Sequence, residues 1–312
     1  MKAITKRAGV TFHIDNPSSL IECRTETLLS PYHSENIATL TLTSGSTGLP
    51  KAVAHTVSNH LHSAAGILQV MPLGHDDCWL LSLPLFHVSG LAIIWRWLLS
   101  GARMKVTPVA GEQLFSAFDN VTHASLVPTQ LQRLLSHGKP DALKEVLLGG
   151  AEIPVSLTSM AEQSGIRCWC GYGMTEMAST ITVKRADGEL TVGTPLAYRQ
   201  VAISGESEVL VGGGPLSPGY MVDGELKPLP LTDGLFSSGI GVNGRVREQT
   251  TFACWAVSIT CLSVVVRTSN PKPLSVCWPN TRALARYLSC RWKIVNTVIE
   301  RLLLSNRWGA SR

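Results

Sequence analysis

The sequence predicts an α/β fold, a mostly parallel sheet with helices on both faces plus a small β-rich subdomain. Three observations carry this. From Ile37 to Cys170, short apolar runs alternate with segments of helical period, the pattern of buried strands joined by crossover helices. After Ile181 the pattern changes to short strand-like runs separated by glycines at 188, 193, 205 and 212–214, which read as strands and turns. Hydrophobic residues make up 45% and charged residues 16% of the 312 residues, enough apolar surface for a core and too little charge for a disordered chain. The 27 Gly and 17 Pro carry no repeat, which excludes a collagen-like or low-complexity chain.

Taken in order, residues 1–36 are polar, show no clear period and are expected to form an irregular N-terminal segment. Ile37–Thr43 reads as a strand and Ala52–His55 as a second. Val57–Val70 carries Val57, Leu61, Ala64, Ala65 and Leu68 at helical spacing. A strand is expected over Trp79–Leu83, a helix over Val88–Leu99, and strands over Met104–Thr107 and His123–Val127. The next helix, Pro128–Ser136, opens on a proline preorganised for a first turn, with Leu131, Leu134 and Leu135 behind it. Glu145–Leu148 reads as a strand ending in Gly149-Gly150, then Pro154–Gln163 as a helix and Ile166–Cys170 as a strand. Beyond these, Ile181–Lys184, Gln200–Ser204 and Glu208–Val211 read as short strands. The expected organisation is an α/β region over 37–180, a β-rich subdomain over 181–244 and a basic tail over 245–312.

Charge is uneven. Residues 235–312 hold 11 Lys and Arg but only Glu248 and Glu300 as acids, leaving 16 basic and 20 acidic residues before them. The net charge of +5 describes neither part, so it does not argue for nucleic-acid binding. Eight cysteines contain no CxxC pair, which points to a reducing compartment and away from structural zinc. The basic start, Met1–Arg7, is not followed by an apolar run, so no secretory leader is expected. The apolar stretch Trp79–Leu99 is interrupted by Pro84, His87, Gly90 and Arg96, and reads as buried core rather than a membrane span. The uncharged run Gln249–Val266 is at the lower limit of span length, rich in Ser, Thr and Cys, and is not read as a span.

The strongest chemical signal is Thr43-Ser44-Gly45-Ser46-Thr47-Gly48-Leu49-Pro50-Lys51, directly after a strand. Gly45 and Gly48 let backbone N–H groups turn toward an anion, the hydroxyls add donors and Lys51 adds a point charge, a set suited to a polyphosphate. It lacks the Gly-Lys-Ser/Thr of a Walker A loop. A Ser/Thr/Gly turn alone reads as a plain polar turn; the nine-residue order is far more specific. Three further motifs follow: Leu83-Pro84-Leu85-Phe86-His87-Val88-Ser89-Gly90, Leu148-Gly149-Gly150-Ala151-Glu152-Ile153-Pro154 and Gly171-Tyr172-Gly173-Met174-Thr175-Glu176.

In content and order these four resemble the signatures of the adenylate-forming (acyl-CoA synthetase) superfamily, over about Ile37 to Gly241. The intervening Trp95-Arg96-Trp97-Leu98, His123–Leu131 and Cys168-Trp169-Cys170 resemble its branch that ligates o-succinylbenzoate to CoA in menaquinone biosynthesis. The resemblance implies the central part of an N-terminal adenylation domain. It also implies ATP and AMP as bound nucleotides, Mg²⁺, CoA as co-substrate, a small aromatic carboxylic acid as substrate, and a cytoplasmic location. No nucleic-acid or membrane partner is implied, and no oligomeric state. By this resemblance Thr43, Ser44, Gly45, Ser46, Thr47, Gly48 and Lys51 hold phosphates. Gly149, Gly150 and Ala151 line the adenine side, and Gly171, Tyr172, Gly173 and Met174 hold the adenine. Thr175 touches the α-phosphate, Glu176 holds the metal and His87 gates the acyl pocket. From the residues alone, His87 also reads as a core histidine, Tyr172 as a core aromatic, Thr175 as an N-cap and Glu176 as a solvated side chain at a helix start. His55, Asn59 and His62 share a helical face without an accompanying acid or Cys, so a metal site is not expected there. Asp76-Asp77 and Glu206/Glu208 read as a solvated turn and a wet strand face.

Gly234–Gly241 stands where the family carries a ribose-binding Asp, and none lies between Gly239 and Ile240. Past Gly244 the resemblance stops, which leads to the expectation that the tail is out of frame and that the chain is truncated at both ends. The expected function is acid–CoA ligation; the alternatives are an inactive remnant, or a ligase for another aryl or fatty acid.

Overall fold

The computed structural model describes residues 33–43, 51–107, 109, 114–189 and 191–241. The expectations for residues 1–32 and for the tail beyond 241 lie outside them. The strands in chain order are β1 (Ile37–Thr43), β2 (Lys51–Thr56), β3 (Cys78–Leu80), β4 (Arg103–Lys105), β5 (His123–Leu126), β6 (Glu145–Leu148), β7 (Arg167–Met174) and β8 (Ser179–Arg185). They continue as β9 (Thr194–Pro195), β10 (Arg199–Ile203), β11 (Glu208–Gly213), β12 (Gly219–Val222), β13 (Glu225–Pro228), β14 (Leu231–Thr232) and β15 (Leu235–Gly241). The helices are α1 (Val57–Val70), α2 (Val88–Ser100), α3 (Pro128–Leu135) and α4 (Val155–Gln163). The chain divides into two compact units: one takes residues up to 58 and 217–228, the other 59–216 and the described residues from 229.

The second unit is built on a seven-stranded sheet of order β4-β3-β5-β6-β7-β8-β9. The first five strands run parallel, with Val146 of β6 opposite Ala124 on one side and Cys168 on the other. β8 and β9 are added antiparallel. β5 (His-Ala-Ser-Leu) and β6 (Glu-Val-Leu-Leu) are buried along their whole length, so they lack the buried–exposed alternation of a strand with one wet face. One face presents Leu80, Ala124, Leu126, Val146, Leu148 and Cys168 to Leu131 and Leu134 of α3 and Leu157 and Ala161 of α4. On the other face, Arg96 of α2 reaches Ser125. Pro128 opens α3 as expected, and Gln130 Oε1 accepts the Val127 N–H at 3.0 Å. Gly101 ends α2 at φ 73, where an L residue would be strained.

The first unit is a four-stranded antiparallel sheet, β1-β2-β12-β13, with Val53 and Ala54 fully buried. The run expected as one β-rich subdomain over 181–244 therefore serves three sheets. β8 and β9 extend the large sheet, and β12 and β13 join β2. β10, β11, β15 and β14 form a four-stranded antiparallel sheet of their own. Two Asp-Gly pairs mark hairpins that the sequence reading passed over. Asp223 and Gly224 (φ 53 and 85) and Asp233 and Gly234 (φ 51 and 77) each close a two-residue turn, the dipeptide such turns favour. Among the described residues, no helix is long and apolar enough to cross a membrane.

Candidate active site

Parallel pairing puts the carboxyl ends of β3, β5, β6 and β7 on one edge of the large sheet, where α/β folds bind ligands. The segments leaving that edge are bonded to one another. Ser82, after β3, donates through Oγ to Ser125 O, and its own carbonyl accepts from Gln130 Nε2 at 3.3 Å. Gly149, after β6, donates its N–H to Leu126 O at 3.4 Å, and a Cβ on it would lie 3.2 Å from Gly171 O. Gly150 follows at φ 80, exposed like Ala151.

β7 runs four residues past its expected end, through Gly171, Tyr172, Gly173 and Met174. Glycine makes this possible. A Cβ on Gly173 would sit 2.0 Å from Ser179 O, and one on Gly171 3.0 Å from Thr180 Cγ2, so β8 packs where side chains would stand. The register shifts between Tyr172 and Gly173. Thr175 and Glu176, both half-buried, then open a single tight turn, Thr175–Met177, rather than a helix.

His87 sits in extended conformation immediately before α2, and its side chain does not cap the helix. Its N–H donates to Pro84 O at 3.1 Å, and its carbonyl accepts from Gly90 N at 3.1 Å. A Cβ on Gly90 would lie 2.2 Å from Pro84 O, which explains the glycine that closes this motif. The His87 ring is exposed beside Phe86, 4.6 Å between centroids. Local desolvation pushes its pKa below the ordinary histidine value.

In the first unit, Thr43 and Lys51 are paired across β1 and β2, bringing the two ends of segment 44–50 side by side. Lys51 is exposed, with Nζ 4.9 Å from the Tyr220 ring centroid. Ser44, Gly45, Ser46, Thr47 and Gly48 lie outside the described residues.

Two buried guanidiniums were not singled out by sequence reasoning. Arg96 is 1% exposed; its Nη1 donates to Ser125 Oγ at 3.1 Å and its guanidinium lies 5.2 Å from the Trp79 ring centroid. Nε has no hydrogen-bond partner, and no carboxylate among the described residues pairs with it. Burial first, and Arg199 second, push its pKa down to about 9. The signal was an arginine inside an apolar helix between two tryptophans. Arg199 is buried on β10 and donates only to carbonyls and a hydroxyl.

The remaining candidates are structural. Burial drives the Cys168 thiol up to about 12 and Cys170 to about 11, so neither is a thiolate nucleophile. His60 stacks on Trp95 at 4.8 Å, and no group of three or more His, Cys, Asp or Glu among the described residues could hold a metal. Asp77 accepts from Lys144 Nζ at 2.8 Å, a surface tie rather than a member of a catalytic pair.

Comparison with known proteins gives these positions a context. The family model for AMP-binding enzymes matches residues 5–224. The 2-succinylbenzoate–CoA ligase of Salmonella typhimurium is 48% identical over 240 residues, 75% of this chain and 52% of that protein. The Escherichia coli ligase of the same name is 52% identical over 202 residues, 65% of this chain and 44% of the relative. The structure is similar to wild-type E. coli MenE with a bound phenylether-linked analogue of OSB-AMS. The TM-score is 0.63 and identity 46%, covering 72% of this chain and 48% of that one. The chain thus spans about half the length of the curated relatives it matches. With the family model matching more than two thirds of its residues, and with its second, third and fourth motifs on and around one edge of the large sheet, the chain belongs to the AMP-binding enzyme family.

Proposed function

We propose that this chain carries the adenylation site of a cytoplasmic ATP-dependent acid–CoA ligase whose acid is o-succinylbenzoate. The observation that carries the reading is the 48–52% identity to 2-succinylbenzoate–CoA ligases. A carboxylate oxygen of the acid attacks the α-phosphorus of ATP, and pyrophosphate leaves with the α–β bridging electron pair. The CoA thiolate then adds to the acyl carbon of the adenylate, and AMP leaves.

In this reading the 43–48 segment and Lys51 hold the phosphates. Gly149–Ala151 and Gly171–Met174 flank the adenine, Thr175 meets the α-phosphate and His87 gates the acyl pocket. Glu176 suits Mg²⁺: it is a hard oxygen donor, part-exposed, next to Thr175 in the chain, and Mg²⁺ takes one or two carboxylates together with phosphates and water. When bound, the metal neutralises charge building on the phosphates. Arg96 supports an acidic substrate, because its buried Nε has no hydrogen-bond partner and no carboxylate among the described residues pairs with it.

A second reading, nucleotide binding without ligation, is favoured by the absence of Asp between Gly239 and Ile240 on β15. Supplying the purified chain with ATP, Mg²⁺, CoA and o-succinylbenzoate decides between them. Thioester formation, weaker with benzoate or a fatty acid, supports the first. ATP·Mg binding by calorimetry with no thioester supports the second. No nucleotide binding overturns both.

A further inference from the structure

The turn that carries Thr175 and Glu176 returns into β8 through two consecutive left-handed residues, Ala178 at φ 49 and Ser179 at φ 112. Neither is glycine, and both are buried. L residues rarely adopt such angles, and they persist where surrounding structure over-determines them. The hydrogen bonds that do so come from outside the turn. Ser63 Oγ, on α1, donates to Ala178 O at 2.7 Å. Arg199 Nε, on β10, donates to Thr180 O at 2.9 Å. The strained Ser179 is thus held by its two neighbours' carbonyls. Arg199 also fixes the serine, donating from Nη2 to Ser63 O at 3.1 Å and to Ser63 Oγ at 3.3 Å. Its Nη1 donates to Ala197 O at 2.8 Å and His62 O at 3.3 Å. Gly66 leaves room for it, since a Cβ there would lie 2.1 Å from Nη1.

We propose that Ser63 and Arg199 form a clamp that positions the Thr175–Glu176 turn, acting as positioning residues for the Mg²⁺-nucleotide contact. The proposal rests on the reading of Glu176 given under Proposed function. On the entry side the turn is held by the pairing of Met174 with Ser179, and within it Ala178 N–H donates to Thr175 O at 3.1 Å. Without the clamp, Ala178 and Ser179 are free to relax toward right-handed angles, which swings the Glu176 carboxylate away from its place. Stability alone explains neither two strained residues nor a buried guanidinium without a carboxylate among the described residues.

The test uses the 312-residue chain with Ser63→Ala, Ser63→Thr and Arg199→Lys. Hydrogen exchange followed by mass spectrometry should show peptides covering 174–180 exchanging at least tenfold faster in Ser63→Ala, with β5 and β6 unchanged. Calorimetry should show the gain in ATP affinity on adding Mg²⁺ falling at least fivefold in Ser63→Ala and Arg199→Lys. Metal-free adenosine binding, which calls on neither Thr175 nor Glu176, should stay within twofold, and Ser63→Thr, which keeps the hydroxyl, should restore the gain. Unchanged exchange over 174–180 in Ser63→Ala overturns the clamp. So does a retained Mg²⁺ gain in both weakened variants. A parent chain with no Mg²⁺ gain refutes the Glu176 assignment instead, and exchange over 174–180 then decides whether the clamp holds the turn.

Discussion

Replacing Arg96 by methionine should make the fold slightly more stable and acid binding much worse. The guanidinium is buried, and its pKa falls from 12.5 to about 9. At about 1.4 kcal/mol per tenfold, that corresponds to roughly 5 kcal/mol of cost for holding the charge there. Stacking over Trp79 returns about 2 kcal/mol in a desolvated setting. The charged hydrogen bond to Ser125 Oγ returns about 2 more. The balance is a net cost of about 1 kcal/mol, which methionine, apolar and adaptable in shape, removes. The thermal midpoint should rise by roughly 2–4 °C per kcal/mol for a body of this size. Affinity for o-succinylbenzoate should fall by roughly 30-fold or more, since losing one partner of a buried charged contact costs about 2–5 kcal/mol. Urea unfolding followed by far-ultraviolet circular dichroism gives the first number and titration calorimetry the second, with benzoate as a one-carboxylate control. A variant that loses more than about 2 kcal/mol of stability yet binds the acid like the parent would refute the reasoning and make Arg96 a structural strut.

Lys51→Ala and Glu176→Gln should each weaken ATP·Mg binding by roughly 1–3 kcal/mol, the scale of a lost charged hydrogen bond; calorimetry on both variants checks this. Gly173→Ala should cost about 1–3 kcal/mol through overpacking, because the new methyl meets backbone at 2.0 Å; its urea midpoint should drop accordingly. Stability should fall as pH drops below about 6.5, because burial holds His123 below the ordinary histidine value and the unfolded chain takes the proton first. His123→Asn should flatten that limb of the unfolding curve. Asp77, held below the ordinary carboxylate value by the Lys144 and Gly74 hydrogen bonds against desolvation, adds stability above its unfolded value near 3.8, lost as pH falls through its folded value. Asp77→Asn should flatten that more acidic limb and, by removing a charge that favours protonated His123, lower the folded His123 pKa further.

The parallel core was legible because its strands are buried on both faces. Glu145–Leu148 was bounded to the residue, as was Val57–Val70 by its helical period. The strand β7 was expected to end at Cys170, ahead of Gly171 and Gly173, and these glycines are places where β8 leaves no room for a side chain. The strands β12 and β13 were missed although Asp223-Gly224 announces their hairpin, and no local pattern tells which sheet a hairpin joins. The motifs were legible in their order; the residues that hold the turn after β7 were not. Ser63 and Arg199 are 136 positions apart, and nothing near either one signals the other.

The two buried arginines show why burial alone does not identify a binding residue. Both lack a carboxylate partner among the described residues, and burial pushes both down, to about 9 for Arg96 and about 10 for Arg199. Their donors separate them. Arg199 uses Nε, Nη1 and Nη2 against four carbonyls and the Ser63 hydroxyl, so its hydrogen-bonding capacity is used within the fold. Arg96 reaches one hydroxyl and a tryptophan face, and its buried Nε has no partner. A saturated guanidinium gains nothing from an added anion, which would only compete with bonds already made. An unsaturated one gains both charge and hydrogen bonds. The same change, arginine to methionine, therefore has opposite expected signs at the two positions. It relieves a cost at Arg96, and at Arg199 it strands several buried carbonyls and releases the strained turn behind Glu176.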